Sequence, residues 1–162
     1  MPIETKDMVA IVDDELSVRR FIARVLSRAG YRTLEARSAI EAKELIQTHK
    51  PQIALVIADI RMPGGNGLDL AVDLEAADMP VLFISGLIDS VAVKSILLNN
   101  PLAILTKPFT PEDLVERVHV LVGSVLLNPT HAHLAKDTGL AALRKGPEIE
   151  RGQPRLPRFC AK

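Results

Sequence analysis

"IALVIADIRMPGG", residues 53–65, joins an unbroken apolar run to a single carboxylate, Asp59, and then to a proline–glycine turn. An apolar run this short, bounded by a turn, is typical of a strand buried on both faces, as in a parallel sheet covered by helices. Asp59 is therefore predicted to end a buried strand at one edge of a sheet. An acid in that position suggests a function.

Strand and helix patterns alternate on both sides of this segment. Four further apolar runs predict strands at Val9–Val12, Arg32–Ala36, Val81–Ile84 and Leu102–Thr106. Helical spacing predicts helices over about 18–29, 38–48, 68–76 and 91–98 and from 110 onward, with Ser38 and Thr110 as N-caps. Five such units in series predict a five-stranded parallel sheet, doubly wound, with helices on both faces.

Composition indicates an ordinary globular domain. The chain has 162 residues, 48% of them apolar, which suffices for a core without disulfides or metal clusters. Its apolar runs are too short to span a membrane, and the N-terminus lacks a signal-peptide pattern. One cysteine, Cys160, excludes an internal disulfide. We therefore expect a cytoplasmic protein without membrane insertion.

Charge divides the chain near Pro129. Residues 1–128 hold 13 Lys and Arg against 17 Asp and Glu, whereas residues 129–162 hold 7 against 3. An acidic body and a basic tail without interleaved aromatics do not favour nucleic-acid binding. The tail is also too short for a helix-turn-helix unit. We predict one domain over 1–128 and a C-terminal extension over 129–162, a short helix followed by a disordered basic end.

Four of the five predicted strands end in polar residues suited to one reaction. These residues are Asp13, Asp14, Asp59, Ser85 and Lys107. In parallel sheets of this kind, ligands bind beyond the carboxyl ends of the strands. Clustered carboxylates require a cation, and oxygen ligands suit Mg²⁺. A lysine and a hydroxyl beside a magnesium ion are able to hold a transferring phosphoryl group, and a carboxylate is able to accept it.

Four segments resemble the receiver domain of bacterial two-component response regulators. They are VAIVDDE at 9–15, ADIRMPGGNG at 58–67, LFIS at 82–85 and LTKPF at 105–109. The similarity covers roughly residues 6–127, in the family's order and spacing. It implies a flavodoxin-like receiver fold and a phosphoprotein that signals and is not an enzyme. Its expected partners are a sensor histidine kinase or histidine phosphotransfer protein and a downstream protein target.

The resemblance also implies roles for individual residues. Asp14, Asp59 and the backbone carbonyl of Arg61 would bind Mg²⁺, and Asp13 would hold a metal-bound water or share in coordination. Asp59 would carry the phosphoryl group, with Ser85 hydrogen-bonded to it and Lys107 paired with it. The peptide bond between Lys107 and the following proline would be cis, as in the family.

Two positions depart from the family pattern. The position three residues before the lysine usually holds an aromatic residue that turns inward on phosphorylation, but here it is Ile104. The turn after the phosphoacceptor segment carries Gly65-Asn66-Gly67, a more flexible entry to the third helix than the usual triplet. These departures concern the output of the domain and leave its predicted chemistry intact.

Two other function classes compete with this hypothesis. A receiver-like module could bind partners without phosphorylation. A magnesium-dependent aspartyl-phosphate hydrolase of the haloacid-dehalogenase kind would carry D-x-D after the first strand, where this chain has Asp13-Asp14-Glu15. Glycine-rich nucleotide-binding motifs are not present after that strand. Phosphorylation of Asp59 separates the first alternative from the receiver hypothesis.

Overall fold

A computed structural model describes residues 7–63, 65–77, 79–86, 91, 94, 98 and 103–127. Its strands are β1 Met8–Val12, β2 Arg32–Ala36, β3 Ile53–Asp59, β4 Arg61–Met62, β5 Gly65–Asn66, β6 Val81–Ser85 and β7 Ile104–Thr106. Its helices are α1 Leu16–Arg28, α2 Ala39–His49, α3 Gly67–Ala76 and, in our numbering, α4 Pro111–Leu127.

The five longer strands form one parallel sheet in the order β2-β1-β3-β6-β7. This confirms the predicted five-stranded, doubly wound, flavodoxin-like architecture. The chain adds β2 on one side of β1 and then adds β3, β6 and β7 in turn on the other side. The strand order therefore reverses between β1 and β3. Open parallel sheets bind ligands at such a reversal, outside the carboxyl ends of the strands.

Side chains of the central strands alternate between two cores, which explains their apolar runs. Val9 and Ile11 pack in one core with residues of α1 and α4. Met8, Ala10 and Val12 pack in the other with residues of α2 and α3. Because both faces of the sheet are covered, β1 and β3 are apolar throughout, apart from Asp59. A polar residue here is tolerated only where the strand ends.

Local signals account for the helix boundaries. The Ser38 hydroxyl accepts from the Glu41 N–H at the start of α2, as predicted. At the start of α4, the N–H groups of Thr110 and Asp113 each donate to the other residue's side chain. Gly30 follows α1 with φ of 94°, a left-handed conformation in which glycine is favoured.

Four features differ from the sequence prediction or lie beyond it. The last strand begins at Ile104 because Ala103 lies in a helical turn, and Leu102 is outside the described residues. The β4–β5 hairpin was not predicted. Of the helix predicted over 91–98, only residues 91, 94 and 98 are described, all as helical, and the extension over 129–162 lies outside the described residues. Among described helices, none has the length and hydropathy to cross a membrane.

Candidate functional site

Three carboxylates meet at the carboxyl edge of the sheet. Asp13 and Asp14 follow β1, and Asp59 ends the neighbouring strand β3. One carboxylate oxygen from each of the three lies within 4.8 Å of the others. The predicted convergence of these acids is therefore observed, and it follows from the side-by-side pairing of β1 with β3.

Asp13 is held so that one of its oxygens is left without a partner. Its N–H donates to the Ala36 carbonyl at 3.1 Å, which extends the β1–β2 ladder past Val12. Its Oδ1 accepts from the Glu15 N–H at 2.8 Å. Its Oδ2 is buried and has no hydrogen-bond partner among the described residues. A buried carboxylate oxygen without a hydrogen-bond donor destabilises the fold, and its position among other acids favours binding of a cation.

The environment of Asp13 also changes its acidity. Burial raises the pKa of this carboxyl, because removal from water disfavours the charged form. The hydrogen bond from Glu15 and the charge of Lys107 act in the opposite direction but do not cancel this effect. The negative charges of Asp59 and Asp14 add to the increase. A positive charge beside Asp13 would therefore stabilise its ionised form.

Both carboxylate oxygens of Asp59 accept hydrogen bonds. Its Oδ1 accepts from the Arg61 N–H at 3.0 Å, and its Oδ2 lies 3.0 Å from the Lys107 Nζ. The same Nζ lies 3.8 Å from Asp13 Oδ2, beyond hydrogen-bonding distance but close enough for charge attraction. The side chain of Asp59 is 13% exposed, so the carboxylate remains accessible from outside the sheet edge.

Lys107 and Ser85 are joined through the sheet. Ser85 ends β6 and is buried, and its carbonyl accepts from the Lys107 N–H at 2.8 Å. The Lys107–Pro108 peptide bond is cis, as the resemblance implied. The hydrogen bond to Ser85 holds the backbone of Lys107 beside β6, while its side chain reaches the acids at the ends of β1 and β3. All five predicted strand-end residues therefore lie at one edge of the sheet.

Gly67 has an importance that the sequence does not reveal. A Cβ atom at this position would collide with the Asp59 carbonyl oxygen and lie 2.9 Å from the Asp59 carbonyl carbon. The Gly67 N–H donates to the Ile60 carbonyl at 3.1 Å, which closes the loop that contains the β4–β5 hairpin. The sequence predicts flexibility at Gly65-Asn66-Gly67. The structure adds that the last glycine permits close packing against the backbone of Asp59.

The donor set fits a hard divalent cation. Three carboxylates offer oxygen atoms to such an ion, and Oδ2 of Asp13 has no hydrogen-bond partner among the described residues. Arg61 lies two residues after Asp59 in β4, so its backbone is adjacent to the acids. The predicted role of its carbonyl as a ligand stays a prediction.

Comparison with known proteins agrees with this geometry. Residues 9–119 match the family model described as the response regulator receiver domain. The chain is 34% identical over 122 residues to chemotaxis protein CheY1 of Helicobacter pylori, covering 70% of this chain and 95% of that protein. It is 31% identical over 139 residues to PhoB, a phosphate regulon transcriptional regulatory protein of Pseudomonas aeruginosa, covering 75% of this chain. The alignment covers only 60% of PhoB.

Solved structures show the same architecture. The receiver domain of the hybrid histidine kinase CckA is 31% identical, with a TM-score of 0.58 over 71% of this chain and 98% of that one. The receiver domain of the Francisella response regulator 1452 is 28% identical, with a TM-score of 0.62 over 74% and 98%. From the sheet order, the acidic edge and these similarities, we conclude that the chain belongs to the response regulator receiver domain family.

Proposed function

We propose that Asp59 accepts a phosphoryl group from a phosphohistidine in a Mg²⁺-dependent reaction. The observation that carries this proposal is the position of the Asp59 carboxylate. It lies 3.0 Å from the Lys107 ammonium and within 4.8 Å of the oxygens of Asp13 and Asp14. A phosphoryl group at this position would have a cation on one side and acidic metal ligands on the other.

The transfer exchanges one bond to phosphorus for another. A carboxylate oxygen of Asp59 attacks the phosphorus, the bond to the donor imidazole nitrogen breaks, and that nitrogen keeps the electron pair. An acyl phosphate results, and the ring leaves as a neutral imidazole because its other nitrogen carries a proton, so no net oxidation occurs. Lys107 supplies positive charge where charge gathers on the phosphoryl oxygens, and we assign the Ser85 hydroxyl to donate a hydrogen bond to one of them.

Asp13, Asp14, Asp59 and the carbonyl of Arg61 are the proposed metal ligands. A bound Mg²⁺ supplies charge neutralisation for the approaching phosphate oxygens. The unpartnered Oδ2 of Asp13 supports this assignment, because it needs a cation that the described side chains do not place within bonding distance. The protein's own contribution is to hold the acids at fixed positions before the donor arrives.

The proposed donor is a sensor histidine kinase or a histidine phosphotransfer protein. The acyl phosphate would then change the contacts of the domain with a downstream protein, and slow hydrolysis would end the signal. We place this exchange in the cytoplasm, where ATP-derived phosphoryl groups are made. Direct binding to nucleic acid is not part of the proposal.

Incubation with acetyl phosphate and Mg²⁺ tests the proposal without a cognate kinase. We expect intact mass to increase by one phosphoryl group and peptide mapping to locate it at Asp59. The change Asp59→Asn should abolish the gain, because an amide is a poor nucleophile. Chelation of Mg²⁺ should also suppress it. A folded wild-type protein that gains no phosphoryl group from either acetyl phosphate or a phosphohistidine donor would contradict the proposal and favour a binding module.

A further inference from the structure

We propose that Arg19, together with Glu35, is a positioning device for the Asp13 carboxylate and so sets the affinity of the acidic site for a divalent cation. The inference rests on the proposed function, since it concerns the same cation site. Neither residue belongs to the set of acids, hydroxyl and lysine assigned above. Both act through Asp13 and are not ligands themselves.

The first contact is a direct hydrogen bond to the backbone of the site. Arg19 lies one turn into α1, and its Nη1 donates to the carbonyl of Asp13 at 2.7 Å. A bond between a guanidinium and a carbonyl at this distance is charge-assisted and short. The side chain of Arg19 is only 12% exposed, so water competes weakly for this donor. The carbonyl of Asp13 is thereby fixed from the side of α1.

The second contact fixes the guanidinium itself. The Nε of Arg19 lies 3.3 Å from Oε2 of Glu35, a residue of β2. Glu35 stands level with Ile11 in the β1–β2 ladder, directly before the residue that receives the N–H of Asp13. Arg19 therefore joins three elements that meet at the acidic loop: the end of β1, strand β2 and the first turns of α1.

These contacts complete a three-point restraint on Asp13. Its N–H is bound to the Ala36 carbonyl, its carbonyl to Arg19, and its Oδ1 to the Glu15 N–H. Only Oδ2 remains without a partner among the described residues. A cation ligand that is fixed before binding loses less conformational entropy on binding, so the restraint should tighten the site.

Mg²⁺ binding by isothermal titration calorimetry on the full chain tests the inference. Arg19→Met keeps the apolar stem of the side chain but removes the guanidinium and with it both bonds. We expect its Mg²⁺ dissociation constant to rise about 10- to 100-fold, the usual cost of losing a group that orients a metal ligand. Arg20→Met is the matched control, because Arg20 is exposed and makes no ion pair within the described part of the chain. Its constant should match that of the wild type.

Amide hydrogen exchange in the metal-free protein gives a second, independent measurement. The Glu15 N–H reports directly on the side-chain position of Asp13, since it donates to Oδ1. We expect this amide to exchange faster in Arg19→Met than in the wild type, while amides in β3 stay unchanged. Arg19→Lys retains one donor and should restore part of both the protection and the Mg²⁺ affinity.

The outcomes separate the inference from the proposed function. Wild-type protein that binds no Mg²⁺ would overturn both. Wild-type protein that binds Mg²⁺, with Arg19→Met and Arg20→Met giving equal constants, would overturn the positioning role alone. The positioning role also fails if Arg19→Met weakens Mg²⁺ binding but raises amide hydrogen exchange throughout β1 and β3 as well. Arg19 would then stabilise the fold in general and would not position Asp13.

Discussion

The Nζ of Lys107 lies 3.0 Å from Oδ2 of Asp59, although the two residues are 48 positions apart and lie at the ends of different strands. Lys107 is the cation that the described residues bring to the acids, and its own side chain is 29% exposed. The pair thus offsets part of the repulsion among Asp13, Asp14 and Asp59. We therefore expect the stability of the domain to depend on both Lys107 and the proposed cation.

Lys107→Met is expected to lower the free energy of unfolding of the metal-free protein by about 1–2 kcal/mol, less than a fully buried pair because Lys107 is partly exposed. Saturating Mg²⁺ should recover most of the loss. Urea denaturation with EDTA and with Mg²⁺ measures both quantities. Lys43→Met is the control: it removes a 2.6 Å surface pair with Asp73 and should cost about 0–1 kcal/mol with no effect of Mg²⁺.

Asp13→Asn is expected to stabilise the metal-free protein at neutral pH, because burial raises the pKa of Asp13 above its ordinary value of 3.8 in the folded state. Below pH 3.8 both states are protonated and the mutant gains nothing. As pH rises through the raised folded pKa, the gain reaches its full value. Urea denaturation across acid to neutral pH, with EDTA present, measures it.

Asp113→Asn provides a control of opposite sign. Hydrogen bonds from Thr110 lower the pKa of Asp113, so its ionised form stabilises the folded protein above pH 3.8. This stabilisation is lost as pH falls through the lowered folded pKa. The mutant should therefore be less stable at neutral pH, and the difference should vanish in acid.

A gain in stability from Asp13→Asn that does not vary with pH would argue against burial as its cause.

Gly67→Ala is expected to destabilise the protein by about 1–3 kcal/mol, since the new Cβ would collide with backbone atoms of Asp59. Backbone atoms cannot rotate away from the contact as a side chain could. Phosphorylation by acetyl phosphate should slow as well, because the clash displaces the acceptor's backbone. Gly123→Ala, in α4, where the added Cβ meets no described atom within 4 Å outside its own stretch of helix, should instead stabilise by about 0.5–1 kcal/mol. Thermal denaturation and intact-mass kinetics compare the two.

Phosphorylation is expected to shift the surface of β7 and α4 only weakly. Ile104 occupies the usual aromatic position, is 3% exposed and packs with Phe83 and Ala103, so it is already inward-facing. Its branched side chain has no ring to reorient. Amide chemical-shift mapping with beryllofluoride, a phosphoryl mimic, should show larger changes over 86–98 than over 104–127.

Ile104→Tyr tests this account, and we expect it to cost about 1–3 kcal/mol by overpacking while increasing the response of β7 and α4. Ile104→Val controls for loss of packing alone, at about 0.5–1.5 kcal/mol, and should leave the pattern of shifts unchanged. Equal shifts over both regions in the wild type, unaltered by Ile104→Tyr, would refute the proposed output step.

Deletion of residues 130–162 is expected to leave melting temperature and phosphoryl acceptance nearly unchanged, because the core residues that the structure describes all lie between Met8 and Val122. This follows from the predicted division of the chain near Pro129. Differential scanning calorimetry and the acetyl phosphate assay on the truncated chain measure both properties. A large fall in melting temperature would mean that the extension packs on the domain and would change its assignment from a tail to part of the fold.

By itself, the sequence determined the identity and order of the main elements. Apolar periodicity is a local property, so β1, β3 and α1 could be predicted from the residues within them. The convergence of Asp13, Asp59 and Lys107 also followed, because parallel strands joined by helices place their carboxyl ends at one edge.

The tertiary structure decided which atoms meet at that edge. The separation of 3.0 Å between Lys107 and Asp59 depends on the strand order and the loop geometry around the sheet. The close approach of Gly67 to Asp59 and the bond from Arg19 to the Asp13 carbonyl likewise join backbone and side-chain atoms of different elements. Periodicity carries no information about such contacts, since they arise only when packed elements fix their relative positions.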